Sequence, residues 1–509
     1  MTFKCITISI FALLLVACSS ERQPPISPPN IIYILADDLG YGDLGCYGQD
    51  KIETPHLDAL AAGGMLFTQH YSGSPVCAPA RAVLLTGQHT GRVQVRGNDE
   101  WAERGDVWNY LAMLADSTLE GQRPIAEGTV TLGTLLQGIG YTTAIVGKWG
   151  LGAPHTVGVP NMQGFDYFFG YNCQRQAHTL YPLHLWENDR RVYLRNDTIA
   201  PNKRLPDGAD PYAVESYSDY FLSDYAPDIM FDRITDFVSK RQKEPFFLYW
   251  ATPIPHVPLQ APSKWIDYYV EKFGDEEPYL GNDSYFPARY PRATYAAMVS
   301  YLDEQVGRLV QQLKDQGIYD NTLIIFTSDN GPTFNGGTDS PWFNSAGPFR
   351  EERGFGKGYL YEGGIRVPMI ASWPAMIQAG SRSDHISAFY DVMPTLAEIA
   401  GVEQGFDTDG ISFLPALREQ KQPKHDYLYW EFPSYGGQMA VRMGKWKALR
   451  LNMDNDGSEW ALFNLESDPM EQVDLAREYP ELIAKVTEIV AEAHVPAANP
   501  RWRFSALGE

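Results

Sequence analysis

What this chain has least of is positive charge: 41 Lys and Arg stand against 63 Asp and Glu, for a formal net charge of −22. Binding nucleic-acid phosphates takes clustered Lys and Arg, so that class of partner is excluded. A polyanionic ligand would have to be met by a local basic pocket. Long hydrophobic runs are missing too. The stretch from Ile6 to Ala17 is well short of the ~20 residues a stable membrane helix needs. There is no internal repeat, and no low-complexity tract beyond the prolines at 24, 25, 28 and 29. Cysteine is scarce, with five in 509 residues.

What is present reads as a globular protein, 44% hydrophobic and 20% charged, long enough for one large domain and a smaller one. Lys4 and the run from Ile6 to Ala17 form a signal peptide over residues 1–17. Leu15-Val16-Ala17-Cys18 resembles a bacterial lipobox, which would make Cys18 the lipidated first residue of the mature chain and residues 18–29 a stiff tether. No aspartate follows Cys18. The expected location is therefore the periplasm or cell surface, anchored to the outer membrane, with plain secretion as the alternative. The membrane is engaged through that lipid alone.

Five apolar runs read as buried parallel strands: Ile31 to Ala36, Thr142 to Val146, Phe246 to Ala251, Leu323 to Thr327 and Val367 to Ser372. Helical spacing is clearest from Ala296 to Gln316, where Met298, Leu302, Val306, Leu309, Val310 and Leu313 recur, and again from Asp391 to Ala400. Strands alternating with helices imply an α/β domain. Beyond about residue 420 the texture changes to short strands (Gly444 to Leu449, Trp460 to Leu465) and a closing helix from Glu481 to Ala493.

In open α/β sheets ligands bind beyond the carboxyl ends of the strands. Asp37-Asp38 follows the first run, Lys148 the second, His256 the third and Asp329-Asn330 the fourth. Four distant segments thus bring acids, a base and a cation to one edge. Paired carboxylates with an amide are hard oxygen donors, suited to Ca²⁺ or Mg²⁺ over a thiolate-loving metal. Taken singly, each has a plainer reading: an Asp pair caps a turn, Cys77 is a small buried apolar residue, a lysine is a solvated charge and His256 a hydrogen-bonded loop residue.

Together they read differently. Cys77-Ala78-Pro79-Ala80-Arg81, followed by Ala82 to Gly87 and then Gly91-Arg92, resembles the signature of the formylglycine-dependent type I sulfatases of the alkaline phosphatase superfamily. So do Asp37 to Asp43, Gly147-Lys148-Trp149, Pro255-His256-Val257-Pro258, Ser328 to Gly331, and Gly356-Lys357-Gly358 leading into Tyr361 to Pro368. The resemblance implies a large, mixed, mostly parallel sheet flanked by helices over residues 30–420 and a small antiparallel subdomain over 421–509. It implies a sulfuric ester hydrolase in which a formylglycine-generating enzyme oxidises Cys77 to formylglycine (3-oxoalanine), whose hydrate is the nucleophile. Asp37, Asp38, Asp329, Asn330 and modified Cys77 would hold one Ca²⁺ or Mg²⁺. Arg81 would fix the hydrate, Lys148 and Lys357 the sulfate, Asp329 would take the nucleophile's proton, and His256 would protonate the leaving alcohol. Glu362 and Arg366 read as structural.

The chain departs from that pattern at Gly150, where many sulfatases carry a histidine that helps release sulfate. His178 and His155 are the candidates to replace it, and His178 is the one expected to; the alternative is that His178 binds the sugar and proton transfer runs through water or Asp329. Gln174, Arg175 and His178 form a polar cluster expected to bind substrate. The Gln-Arg-Gln-Ala-His stretch is similar to one in bacterial carbohydrate sulfatases, which points to a sulfated sugar, galactose or N-acetylgalactosamine. Two other readings share these residues: a phosphate or phosphonate ester hydrolase of the same superfamily, and a non-catalytic lipoprotein that binds sulfated glycan. With Cys5 cleaved off, Cys18 lipidated and Cys77 modified, Cys46 and Cys173 remain as the two cysteines that could pair, and the sequence leaves open whether they do.

Overall fold

A strand that is apolar without alternation is stable only with both faces covered, and Ile31 to Ala36 is such a strand. In the computed structural model, which describes residues 28–509 apart from 242–243, 403–404 and 456, it is β1 (Asn30–Ala36) of an eleven-stranded sheet. The leader, Cys18 and most of the tether lie outside the described residues. The other strands are β2 (Met65–Tyr71), β3 (Thr142–Lys148), β4 (Tyr167–Tyr171), β5 (His184–Glu187), β6 (Arg190–Tyr193), β7 (Phe246–Ala251), β8 (Thr322–Ser328), β9 (Arg366–Ser372), β10 (Ser381–Ser383) and β11 (Ser387–Ala388). Their order is β10-β2-β9-β8-β1-β7-β3-β4-β5-β6, with β11 beside β2.

The central strands β8, β1, β7, β3 and β4 are parallel. Ile31, Tyr33 and Leu35 face one apolar cluster, with Val83 and Leu84 of the Cys77–Thr86 helix. Ile32 and Ile34 face another, with Met298, Leu302, Val306, Leu309 and Leu313 of the Pro291–Asp315 helix. Each such buried side chain contributes roughly 1.5–3 kcal/mol. Both faces are covered, as the continuous apolar runs require.

One expected direction is corrected. Val367 to Ser372 reads as a parallel strand, yet β9 is antiparallel to both β8 and β2. After β8 the chain stays at the same end of the sheet, and Gly331 N donates to Gly364 O at 2.9 Å. β9 therefore begins where β8 ends and must run back.

The C-terminal region adds β12 (Leu428–Phe432) and β13 (Gln438–Met443), missed in the sequence, to β14 (Trp446–Arg450) and β15 (Trp460–Asn464) in an antiparallel sheet of order β12-β13-β14-β15. Val486, Ile489 and Val490 of the Pro480–Ala493 helix pack on Met439, Val441 and Leu462. Charge also joins the two sheets. Glu362 accepts from Tyr71 Oη (2.5 Å), Lys447 Nζ (3.0 Å) and Arg366 Nη1 (3.2 Å), while Lys447 also reaches Glu471 (2.9 Å). Glu362 and Arg366 are thus structural in placement.

The Cys46–Cys173 pair does not form, and both thiols are free. Cys46 lies beside Asp58, and Cys173 is buried against Glu100 and Met113. Each packs as a small apolar residue, Cys46 half-buried and Cys173 buried.

Candidate active site

Strand register builds the site. Ala36 of β1 pairs with Ser328 of β8, Leu35 with Ala251 of β7, and Ala251 with Gly147 of β3. The four strands end level, so Asp37, Asp329 and Lys148 emerge on one rim, with His256 five residues beyond β7. Gly147 makes the level ending feasible: its φ is +126°, and a Cβ there would lie 1.9 Å from Ala251 O.

Asp38 N donates to Asp329 Oδ1 (3.2 Å) and Asn330 Nδ2 to Asp38 Oδ1 (2.8 Å), which ties the β1 and β8 ends together. Cys77 is the first residue of its helix, with Val76 as the N-cap, and Ala78 N donates to Asn98 Oδ1 at 3.1 Å. Its Sγ lies 3.4 Å from Asp37 Oδ1 and 3.4 Å from Lys148 Nζ. Lys148 reaches Asp37 Oδ2 at 2.6 Å, and Lys357 lies 2.7 Å from each oxygen of Asp38. Arg81, fully buried, donates to Asp329 Oδ2 (2.8 Å) and to Lys148 O (2.7 Å). His256 Nδ1 lies 2.5 Å from Val257 O. A carbonyl only accepts, so Nδ1 carries hydrogen and Nε2 faces the site, 3.6 Å from Asp38 Oδ2.

The electrostatics follow from burial and neighbours. Burial alone would raise the Asp37 carboxyl, but Lys148, His256, Arg81 and Lys357 hold it well below the usual carboxylate range. Asp38 is raised by burial against the pull of Lys357, and Asp329 rises to about 7 through burial and the nearby Asp37 charge. Burial and Asp37 push the Cys77 thiol up to about 12. Burial would lower both lysines, yet Asp37 raises Lys148 and Asp38 raises Lys357, so both stay charged. His256 falls well below the usual histidine value through burial and Lys357.

The donor set fits a hard divalent cation. Donor atoms of Asp37, Asp38, Cys77 and His256 lie within 4.8 Å of one another, and Asn330 Oδ1 is buried beside them with no hydrogen-bond partner among the described residues. An orphan buried acceptor amid carboxylates is the kind of group a cation satisfies. Asp329 stands differently, with its oxygens taken by Asp38 N and Arg81.

Above this floor lies a pocket of about 750 Å³ lined by Cys77, Lys148, His256, Lys357, Gln174, Arg175 and His178. All three substrate-binding candidates are therefore brought to the nucleophile position. Arg175 lies over the Trp108 ring at 5.1 Å and donates to the Val107 and Trp108 carbonyls. His178 stacks on His256 with centroids 5.6 Å apart and planes 10° apart, and Tyr285 sits edge-on to both. His155 is not brought to this pocket. It is exposed, binds Ser117 Oγ at 3.0 Å and lines a different cavity. Sequence reasoning missed Trp108, Glu100 and Tyr285 on the pocket wall. Loop residues without periodicity carry no signal. Burial raises Glu100 to about 7.

Gly150 has a structural explanation. Its φ is +79°, and a Cβ there would lie 2.6 Å from Gln174 Cγ, so the Gln174 side chain fills the space a larger residue would need. Gly150→Ala is expected to cost about 2–3 kcal/mol, part from the left-handed backbone and part from the clash. Adding Gln174→Ala should return roughly 1 kcal/mol in urea unfolding. Strictly additive losses would show that the two sites do not share this space.

Residues 29–402 match the family described as Sulfatase, and residues 350–495 match N-sulphoglucosamine sulphohydrolase, C-terminal. The chain is 30% identical over 513 residues to N-acetylgalactosamine-6-sulfatase of Homo sapiens, covering 92% of this chain and 87% of that one. It is 28% identical over 537 residues to N-acetylgalactosamine-6-O-sulfatase of Bacteroides thetaiotaomicron, covering 94% and 96%. Among solved structures, Ps i-CgsB in complex with k-i-k-neocarrahexaose superposes with a TM-score of 0.71 at 29% identity, covering 92% of this chain and 93% of that one.

Proposed function

The chain belongs to the sulfatase family of sulfuric ester hydrolases, and from that premise we propose that it removes sulfate from a sulfated galactose or N-acetylgalactosamine unit. The carrying observation is that the buried Lys148 ammonium, the partly buried Lys357 ammonium and the His256 imidazole all meet the Asp37–Asp38 pair beside Cys77, at the first turn of its helix. Relatives named for N-acetylgalactosamine sulfate and a similar structure holding a neocarrahexaose support the sugar class.

Cys77, oxidised to formylglycine by a formylglycine-generating enzyme, would supply as its hydrate an oxygen nucleophile and a second hydroxyl for releasing sulfate. A divalent cation held by Asp37, Asp38, Asp329 and Asn330 would supply positive charge to a floor where three carboxylates already offset Arg81, Lys148 and Lys357. The residues of the chain do the rest. Lys148 and Lys357 neutralise sulfate oxygens through charge-assisted hydrogen bonds. Arg81 is fixed by Asp329 and the Lys148 carbonyl, and so holds the Cys77 end of the pocket in place. Asp329, raised towards neutrality, accepts a proton from the attacking group. A bound sulfate would offset the Lys357 charge that keeps His256 neutral, so that Nε2 takes up a proton and then gives it to the leaving sugar oxygen. Once deprotonated, that nitrogen is the base in reach for sulfate release, which answers the lack of a histidine at Gly150. His178, stacked behind His256, is assigned to the sugar with Gln174, Arg175 and Trp108.

Position-defined sulfated galactose and N-acetylgalactosamine, each beside its phosphate counterpart, test this. Sulfate release from at least one sugar at kcat/KM far above the matched phosphate ester is expected. The opposite order would make the chain a phosphate or phosphonate ester hydrolase. In the same assay His178→Ala is expected to raise KM about tenfold with little change in kcat, as the loss of a uniform binding contact does. A fall in kcat alone would instead make His178 the base.

A further inference from the structure

A second concavity, of about 940 Å³, shares no lining residue with the Cys77 pocket. It lies between the β10–β2 edge of the large sheet and the β13–β14 turn. In sheet order β10 is four strands from β1, about 19 Å at the usual interstrand spacing. Its charge runs against that of the chain. Arg366, Arg382, Lys421, Lys424, Arg442 and Lys445 line it against Asp384, Glu419 and Glu466, in a protein where acids outnumber bases 63 to 41.

The cations are of two kinds. Those at the floor are fixed. Arg442 donates to Gly444 O at 2.9 Å and also to Tyr71 Oη and Gln69 Oε1, and Arg366 donates to Thr68 O at 2.6 Å and to Glu362. With Lys447 they share two carboxylates, Glu362 and Glu471, and burial pushes Glu471 up to about 7. The floor thus keeps a positive excess. At the rim, Arg382, Lys421 and Lys424 are exposed, and none has an ion pair among the described residues.

Neutral groups in the groove also await partners. His385 lines it at 9% exposure, and its buried Nε2 has no hydrogen bond among the described residues. The side chains of Gln420 and Tyr427 make no hydrogen bond among the described residues either. Fixed guanidinium groups with an amide, an imidazole and a ring suit a ligand that is both anionic and polyhydroxylated. A flat lipid surface would call for protruding cations alone, whereas Arg366 and Arg442 lie in a concave floor.

We propose that this groove is a second binding site for sulfated glycan, holding a polymeric substrate some distance from the bond being cut. The idea rests on the reading that the substrate is a sulfated carbohydrate. Tethering at a second site raises effective concentration for polymers and does nothing for monosaccharides.

The test is Arg382→Ala/Lys421→Ala/Lys424→Ala in the full chain, whose exposed positions spare the buried network. A sulfated galactan polymer is the probe, with unsulfated agarose as control, and affinity is read by gel retardation at low and moderate salt. The variant is expected to lose about tenfold in galactan affinity, as three screened cation contacts would supply, and to hydrolyse a sulfated monosaccharide like wild type. Retardation needs no turnover, so it decides the groove even if no sulfated sugar is hydrolysed. Wild-type affinity in the variant, or no galactan binding by wild type, overturns the proposal. So does loss of binding to phosphatidylglycerol vesicles with galactan affinity intact, which would make the groove a membrane contact.

Discussion

Cys77→Ala is expected to lower kcat/KM on a sulfated sugar by about 10⁴-fold or more, the scale on which removing a covalent nucleophile acts. Stability should hardly change. The side chain is 2% exposed at the first position of its helix, and alanine fits the same space with a better helix propensity. Cys77→Ser separates the two explanations of the loss. A thiol nucleophile leaves an oxygen analogue with residual attack, whereas a group made by oxidising cysteine is not regained from a serine the maturation enzyme does not read. Protein made without a formylglycine-generating enzyme should be as inactive as Cys77→Ala. In active protein, peptide mass analysis should find an aldehyde at position 77, with alkylatable thiols at Cys46 and Cys173. Full activity with an intact thiol at 77 would remove the formylglycine reading and leave the fold and the pocket to be explained by another nucleophile.

The rim of the site could be read from sequence because buried parallel strands are continuous apolar runs, and the first ionisable residue after each one marks the end where ligands collect. Asp37, Lys148, His256 and Asp329 were found in that way. Register was not readable. Nothing in Ile31 to Ala36 says that Ala36 will pair with Ser328, yet that pairing brings Asp38 N to Asp329. The direction of β9 was hidden for the same reason, since a strand buried on both faces looks alike either way up. Gly150 showed as a missing histidine, but its cause, the Gln174 side chain in that space, is a tertiary approach with no local signal. The basic groove was invisible as well. Arg366, Lys424 and Arg442 come from three segments, in a chain whose total charge argues the other way.

His256→Ala is expected to lower kcat on a sulfated sugar by about 10³-fold, within the usual range for removing a general acid. The more telling result is with nitrophenyl sulfate, whose leaving oxygen needs no proton at neutral pH. If His256 acts as acid and then as base, the variant should release close to one equivalent of nitrophenol per active site at nearly the wild-type rate, then slow as the release step limits turnover. The geometry makes both duties fall to one nitrogen. Nδ1 is committed to Val257 O at 2.5 Å, so proton traffic passes through Nε2. That nitrogen lies 3.6 Å from Asp38 Oδ2, and His256 belongs with Cys77 to one group of donors within 4.8 Å. His178 lies behind the ring, and His155 lines another cavity. Multiple fast turnovers without a burst would confine His256 to the first step and return the release base to Asp329 or water. A slow first turnover would mean that its larger task is to place the sulfate, whatever the leaving group.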